Sequence, residues 1–169
     1  MYPGIGVDSF RVAWAAGFFD GEGCISIGKP INKRLRKDGT GYRHTWYQLQ
    51  AIVAQRNRRP LEVLVGLFGG NITIVKIHGS SYFYLRMHGP KAMAMLQRLL
   101  PFLVLKQEQA ELAIRFQQYY DATRKPRRSD GRSLEETAML DSFYEQSKQF
   151  NMRYKQKDWT EMEKGEVLQ

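Results

Sequence analysis

The chain has 169 residues, with 26 Lys and Arg against 17 Asp and Glu, so its formal net charge at pH 7 is +9 and a polyanionic partner such as a nucleic acid is favoured. The single cysteine, Cys24, excludes an intrachain disulfide bond. No apolar stretch approaches the ~20 residues needed to cross a bilayer, so we expect a soluble intracellular protein built as one domain.

The N-terminal third of the chain predicts a helix followed by two strands. Residues 10–18 are apolar except for Arg11 and are rich in small side chains, and Gly21 and Gly23 are expected to end this helix. Residues 24–28 alternate apolar and polar side chains, and an alternating pattern resumes at residues 46–54 after a basic loop. We therefore expect two long antiparallel strands.

The middle of the chain predicts a helix, a hairpin and another helix. Pro60 suits the first turn of a helix that Gly69-Gly70 stops. The hairpin is predicted to pair residues 71–78 with residues 82–88 across the turn Gly79-Ser80-Ser81.

The C-terminal third predicts two further helices, at residues 104–120 and 134–150. The second of them begins at a capping box formed by Ser133 and Glu136. The predicted division of the chain is an N-terminal extension at residues 1–7, a single domain at residues 8–151 and a polar tail at residues 152–169.

Glu22 lies between two glycines at the end of the first predicted helix. The unsatisfied carbonyl groups of a helix end already carry partial negative charge, so a carboxylate there is electrostatically unfavourable in isolation. A divalent cation bound by Glu22 and the backbone oxygen of Gly21 would reverse this effect, and oxygen ligands favour magnesium. The alternative is a solvated carboxylate in a glycine turn.

Small residues also line part of this helix. Their spacing of three and four residues would let a symmetry-related helix approach closely and bring two acidic ends together. The alternative is a core helix that packs against its own sheet. The predicted dimer interface consists of Ala13, Ala16, Gly17 and Asp20.

Residues 14–23, WAAGFFDGEG, resemble the helix motif of LAGLIDADG homing endonucleases, although Trp14 and Ala15 depart from its leading Leu-Ala. The resemblance places Glu22 at the metal-binding acidic position and gives Asp20 a structural role. It extends over residues 10–150 and implies an α+β fold. The implied architecture is an αββαββα core with an antiparallel four-stranded, DNA-binding saddle sheet and additional C-terminal helices.

Two further segments resemble the same family. Residues 100–107, LPFLVLKQ, are similar to the segment that supplies its active-site lysine, so Lys106 inherits that role. A lysine at a helix start is otherwise an exposed, solubilising charge. Gln55 looks like the glutamine that orders active-site water, and either Arg58 or Arg59 supplies the neighbouring arginine.

The resemblance implies a site-specific homing endonuclease that makes double-strand breaks in a long, pseudo-palindromic DNA target. It also implies hydrolysis that depends on Mg²⁺ or another divalent cation such as Mn²⁺. Since the motif occurs once, the expected unit is a homodimer. Two alternatives stay open: a non-cleaving DNA-binding regulator, and a maturase whose partner is intron RNA. The host compartment, whether organellar, bacterial or phage, is also open.

The basic residues concentrate in the region of the predicted strands, an asymmetry that solubility alone does not explain. Polar and basic side chains on one face of long strands can lie in the DNA major groove. The loop at residues 124–128 and the segment at residues 153–157 are candidates for phosphate contacts or for a solvated basic surface. The predicted DNA-binding residues are Lys29, Lys33, Arg34, Arg36, Lys37, Arg43, Gln48, Gln50, Lys76, Arg86, Arg153 and Lys155.

Overall fold

Helices and antiparallel strands alternate along the chain in the computed structural model. It describes the backbone of residues 7–35, 41–124 and 132–160, and the side chains of residues 8–31, 45–124 and 132–152. The elements are α1 (Val7–Glu22), β1 (Gly23–Gly28), β2 (Ile31–Leu35), β3 (Gly41–Thr45), β4 (Gln48–Gln55), α2 (Arg59–Phe68), β5 (Ile72–Ile77), β6 (Ser80–His88), α3 (Gly89–Leu99), a 3-10 turn (Leu100–Phe102), α4 (Gln107–Ala122) and α5 (Leu134–Thr160). The predicted α+β class is confirmed. No described helix is both long and apolar enough to span a membrane.

Four strands form one antiparallel sheet in the order β1-β4-β6-β5. In the central strand β4, Leu49, Ala51 and Val53 are buried, whereas the alternate residues are partly exposed. This two-residue period makes one face of the sheet apolar, and the helices cover that face. The opposite face is left as a polar surface.

Helix α1 packs one face into the core through residues three and four positions apart, among them Ala15, Ala16 and Phe19. Of the two glycines predicted to end the helix, Gly21 lies within it, and the helix ends directly before Gly23. Gly23 begins β1 directly, and a Cβ there would lie 2.5 Å from the carbonyl oxygen of Phe19. The absence of a side chain at Gly23 therefore allows the helix to pass straight into the sheet.

A small ribbon of two strands replaces the predicted basic loop. Strands β2 and β3 pair antiparallel, with Lys33 opposite Arg43. Pro30 separates β1 from β2, because proline has no N–H group to donate to a ladder. The backbone N–H of Trp46 donates to the carbonyl of Pro30 at 3.3 Å, so the ribbon continues from the end of the β1-β4 pair.

The β5-β6 hairpin turns at His78 and Gly79, one residue earlier than predicted. Both residues have positive φ, 46° and 79°, which is the requirement of a type I′ turn. Ser80 and Ser81 therefore belong to β6. A two-residue turn of this type matches the twist of the flanking strands better than the predicted three-residue connection.

Helix α5 begins at the predicted capping box, which is confirmed. Ser133 N donates to Glu136 Oε2 at 2.8 Å, and Glu136 N donates to Ser133 Oγ at 3.1 Å. The helix continues to Thr160, so the first part of the predicted tail is helical. Ser147 accepts a 3.1 Å hydrogen bond from Ile27 N, and Asn151 donates at 3.3 Å to Ile25 O. Helix α5 thus covers the outer edge of β1.

Candidate active site and nucleic-acid interface

Asp20 lies in the last turn of α1, and its carboxylate is directed into the protein. It accepts hydrogen bonds from the backbone N–H groups of Val104, Leu105 and Lys106 at 2.7, 3.2 and 3.0 Å. The segment before α4 is therefore anchored to the end of α1. Because this carboxylate is buried and engaged within its own chain, Asp20 acts as a structural residue and offers little to a dimer interface.

Lys106 is buried, with 9% of its surface exposed, and is not the solubilising charge that its sequence position suggests. Its ammonium group donates to the backbone carbonyl oxygen of Asp20, one of the orphan carbonyls of the helix end. Burial lowers the pKa of Lys106 below its ordinary value, and the charges of Asp20, Cys24 and Glu22 oppose that shift. The Lys106 ammonium group therefore lies at the helix end that carries Glu22.

Glu22 is exposed at the end of α1, next to exposed Gly21. Within the described ranges, no group of three or more His, Cys, Asp and Glu is arranged to hold a metal ion. The oxygen donors at this helix end, the Glu22 carboxylate and the nearby carbonyl of Gly21, fit a hard cation that takes one or two protein ligands. Magnesium commonly completes such a shell with phosphate oxygens and water.

Gln55 and two arginines lie at the same end of the sheet. Gly23 pairs with Val53, so Gln55 at the end of β4 lies beside the junction of α1 and β1. Arg58 forms a 2.9 Å ion pair with Glu62, whereas Arg59 forms none with another described residue. The guanidinium of Arg59 is thus the more available of the two.

The outward face of α1 differs in part from the predicted dimer interface. Ala16 is fully buried in the core of its own chain, so its side chain cannot contact a second copy. Gly17 is exposed, and a Cβ there would have nothing within 4 Å. Phe10 and Trp14 share this face with exposed fractions of 65% and 45%, and Trp14 stacks on Phe18 at 5.4 Å. Large aromatic side chains therefore flank the exposed glycine.

The polar face of the sheet carries some of the predicted DNA-binding residues. Gln48 and Gln50 lie there, linked by a 3.2 Å hydrogen bond, and Arg86 lies there opposite Ile52. Lys76 does not, because it pairs with Ser81 and alternates onto the face of Ile74. The sequence did not determine which alternate residues of β5 face outward. A shift of one residue places Lys76 on the other face of the sheet.

Lys29 forms an ion pair with Asp141 of α5. Tyr47 donates a 2.8 Å hydrogen bond to the same carboxylate oxygen. The hydrogen bond with Asp141 raises the pKa of Lys29, and the bond from Lys29 lowers the pKa of Asp141. Lys29 therefore connects the start of the β2-β3 ribbon to α5. The sequence did not predict this structural contact.

Several of the predicted DNA contacts fall wholly or partly outside the described residues. Arg36, Lys37 and residues 125–128 lie outside the described residues. For five others the backbone is described but the side chain lies outside the described set: Lys33, Arg34 and Arg43 in the ribbon, and Arg153 and Lys155 on α5. Arg124 is exposed just after α4.

Two tyrosines on the polar face were not predicted, although their alternation in β6 is visible in the sequence. Arg56 donates to the hydroxyl of Tyr82 from NH2 at 2.9 Å and lies 5.2 Å from its ring centroid. Arg86 lies 4.2 Å from the ring centroid of Tyr84. These pairings depend on cross-strand register, which the sequence alone did not supply.

The fold of this chain is similar to that of solved homing endonucleases. I-CvuI, solved in complex with its target, is 23% identical with a TM-score of 0.58, and the match covers 85% of this chain and 83% of that one. The archaeal intron-encoded I-Vdi141I, solved in complex with DNA, is 16% identical with a TM-score of 0.59, and the match covers 85% of each chain. Identities of this size show a shared fold.

Membership of a family follows from the sequence match. The model of the LAGLIDADG endonuclease family matches residues 15–120, a span that runs from α1 through most of α4. A search among curated proteins found no match. The chain belongs to the LAGLIDADG endonuclease family, a class of DNA-cutting hydrolases, and the resemblance found in the sequence is confirmed.

Proposed function

We propose that this protein makes a double-strand break in a long, pseudo-palindromic DNA target as a homodimer, by phosphodiester hydrolysis that depends on a divalent metal. The observation that carries the proposal is the arrangement at the end of α1. There, exposed Glu22 follows by two residues Asp20, which holds the buried Lys106 in place.

Hydrolysis of a phosphodiester needs an in-line water and neutralisation of the charge that grows on the phosphate. Glu22 and the carbonyl oxygen of Gly21 would hold the cation, Mg²⁺ or Mn²⁺, which when bound neutralises phosphate charge and makes water more acidic. Lys106 donates hydrogen bonds toward the phosphate or its attacking water, and its burial strengthens that interaction. Gln55 and an arginine, for which Arg59 is the better placed, would orient solvent.

The metal assignment is supported by the oxygen donors of the site and by the conditions of one related complex. I-CvuI was solved on a DNA target in the presence of Mg, with the DNA not cleaved. The Glu22 carboxylate is a hard ligand of the kind that magnesium prefers over softer donors.

A homodimer is supported by the count of carboxylates and by the outward face of α1. One Glu22 per chain provides for one strand, so a second copy provides for the other. The exposed aromatics Phe10 and Trp14 and the open surface at Gly17 form a face that an identical helix could cover. A two-fold contact there brings both Glu22 side chains together.

DNA binding is supported by the net charge of +9 and by the polar sheet face. Arginine, glutamine and tyrosine side chains project from adjacent strands on the side away from the helices. A strand ladder presenting such groups matches the hydrogen-bonding edges of bases in the major groove.

The proposal is tested by exposing the purified protein to a randomised double-stranded DNA library with Mg²⁺ and, in parallel, with EDTA. We expect cleaved molecules that share one two-fold-symmetric sequence in the Mg²⁺ arm and none in the EDTA arm. Selective binding without cleavage in either arm would instead favour a regulator and overturn the proposal.

A further inference from the structure

Arg86 is held on the polar sheet face by two neighbours. Its guanidinium carbon lies 4.2 Å from the centroid of the Tyr84 ring, and its NH1 group donates a 3.0 Å hydrogen bond to Oγ1 of Thr73. Thr73 and Tyr84 pair directly across β5 and β6, so both supports come from one cross-strand row. The ring and the hydroxyl fix the orientation of the guanidinium, while the side chain as a whole remains exposed.

This arrangement leaves hydrogen-bond donors available to a ligand. The guanidinium has five N–H groups in a planar fork, and one of them is used by Thr73. Arg56 on the same face differs, because both its Nε and NH2 groups donate to the hydroxyl of Tyr82, at 3.3 and 2.9 Å. The fork of Arg56 is therefore occupied within the protein, whereas that of Arg86 is oriented and open.

The place of Arg86 in the sheet favours a base edge over a phosphate. A guanidinium fork can bind either group, but β6 is an interior strand, so Arg86 projects from the middle of the polar face, toward the floor of a groove and away from the phosphates that border it. In the major groove, guanine presents O6 and N7 side by side, and an arginine fork can donate to both. Support by Tyr84 and Thr73 also reduces the conformational entropy that Arg86 loses on binding.

The register indicates which part of a target Arg86 reaches. Ile52 pairs with Cys24 on one side and with Arg86 on the other, and Cys24 follows Glu22 by two residues. Two strand spacings separate β1 from β6, a distance of about 10 Å. Along the strands, the row of Arg86 and Cys24 lies two residues from Glu22, so Arg86 is close to the Glu22 end of the sheet.

We infer that Arg86, oriented by Tyr84 and Thr73, reads a guanine in the major groove of each half-site, in the part of the half-site nearer the cleaved bond. This inference rests on the proposed function and specifies one base of its substrate. Arg86 is a specificity-determining residue, and Tyr84 and Thr73 act through it as positioning residues.

The test uses the full chain and a double-stranded DNA library randomised over about twenty base pairs, slightly more than two copies of the nine-residue strand β6 would span end to end. Wild type, Arg86→Gln and Arg115→Gln each select bound DNA, and the bound fractions are sequenced. Arg115→Gln is the matched control, since it removes one exposed arginine from α4. In Arg86→Gln we expect the preference for one guanine per half-site to fall roughly 5- to 150-fold and to move toward adenine. The other positions and the control should keep the wild-type profile.

Two further variants test whether the orientation of Arg86, and not only its charge, determines the preference for guanine. Tyr84→Leu and Thr73→Val keep Arg86 but remove one support each, so we expect a loss of roughly 2- to 5-fold at the same guanine. An Arg86→Gln profile that is unchanged, or an equal loss of affinity for all sequences, overturns the inference. If the wild type still cuts with Mg²⁺, the proposed function survives that result. If the wild type selects no sequence at all, both fail together.

Discussion

Asp20 holds Lys106 at both ends of the lysine residue: the Asp20 carboxylate accepts a 3.0 Å hydrogen bond from the backbone N–H of Lys106, and the Asp20 carbonyl oxygen accepts one from the lysine ammonium. The end of α1 and the start of α4 therefore form one unit. This unit holds the buried ammonium group of Lys106 near the exposed carboxylate of Glu22. The two acids of the motif therefore differ in role, since Asp20 anchors Lys106 and Glu22 remains exposed.

Replacing Asp20 by Asn should destabilise the protein. The amide has one acceptor oxygen in place of two, and its NH₂ group would face backbone N–H donors. We expect the free energy of unfolding to fall by about 1–3 kcal/mol, measured by chemical denaturation. Asp121→Asn is the control, because the exposed Asp121 accepts one bond from Gln117. Equal losses in the two variants would contradict a special role for Asp20.

Replacing Glu22 by Gln should remove cleavage and leave DNA binding nearly intact. The amide is a poor ligand for a hard cation, and Glu22 belongs to no base-reading row of the sheet. We expect the single-turnover cleavage rate with Mg²⁺ to fall by at least about 100-fold, while the dissociation constant for DNA changes little. Glu135→Gln, at the exposed start of α5, should cut like wild type. A Glu22→Gln enzyme that cuts at the wild-type rate excludes this carboxylate as the metal ligand.

The sequence predicted the order of helices and strands because those segments carry clear apolar periods. Ala15, Ala16 and Phe19, for example, follow helical spacing, and all three are buried. The β2-β3 ribbon escaped prediction because a strand of basic residues carries no apolar signal. Its start is marked only by Pro30, which reads equally well as part of a loop.

The position of a candidate site residue was predictable where it depends on the residue's own place in the chain, and not where it depends on strand register. Glu22 is at the exposed helix end, where the motif places it. The sheet face on which Lys76 lies depends on the phase of its strand. The burial of Ala16 depends on which side of α1 packs against the core. The ion pair of Lys29 and Asp141 joins residues 112 positions apart, and no local sequence pattern indicates it.

The buried Lys106 should make stability depend on pH in the alkaline range. Burial lowers its pKa in the folded protein below 10.5. Between the folded pKa and 10.5, the unfolded chain binds a proton that the folded protein does not, so the free energy of unfolding rises with pH. We expect the stability of wild type relative to Lys106→Met to increase through this window, measured by denaturation at several pH values. A difference between wild type and Lys106→Met that falls with pH in this window would contradict the sign.

The ion pair of Lys29 and Asp141 should contribute stability above acidic pH. Its hydrogen bond lowers the pKa of Asp141 below 3.8, so the contribution is present above 3.8 and is lost as the pH falls through the folded pKa. Since both side chains are about one-third exposed, Asp141→Asn should cost less than about 1 kcal/mol at pH 7. Thermal melts at pH 7 and pH 3 should show the difference from wild type shrinking in acid. The comparison is Glu145→Gln, which removes the more exposed ion pair of Lys148 and Glu145.

The outward face of α1 can be tested at Gly17 without disturbing the fold. A Cβ at Gly17 meets nothing within 4 Å in a single chain, and glutamate is a better helix former than glycine by up to about 1 kcal/mol, so Gly17→Glu should fold. In a two-fold dimer the new side chains would separate the helices and set like charges against each other. We expect a monomer by analytical ultracentrifugation and a loss of double-strand cleavage. Gly66→Glu is the matched control, because Gly66 also lies in a helix and its nearest neighbour is the flexible end of Arg11 at 4.0 Å. That variant should remain a dimer, and a Gly17→Glu protein that also remains one would show that α1 does not form the interface.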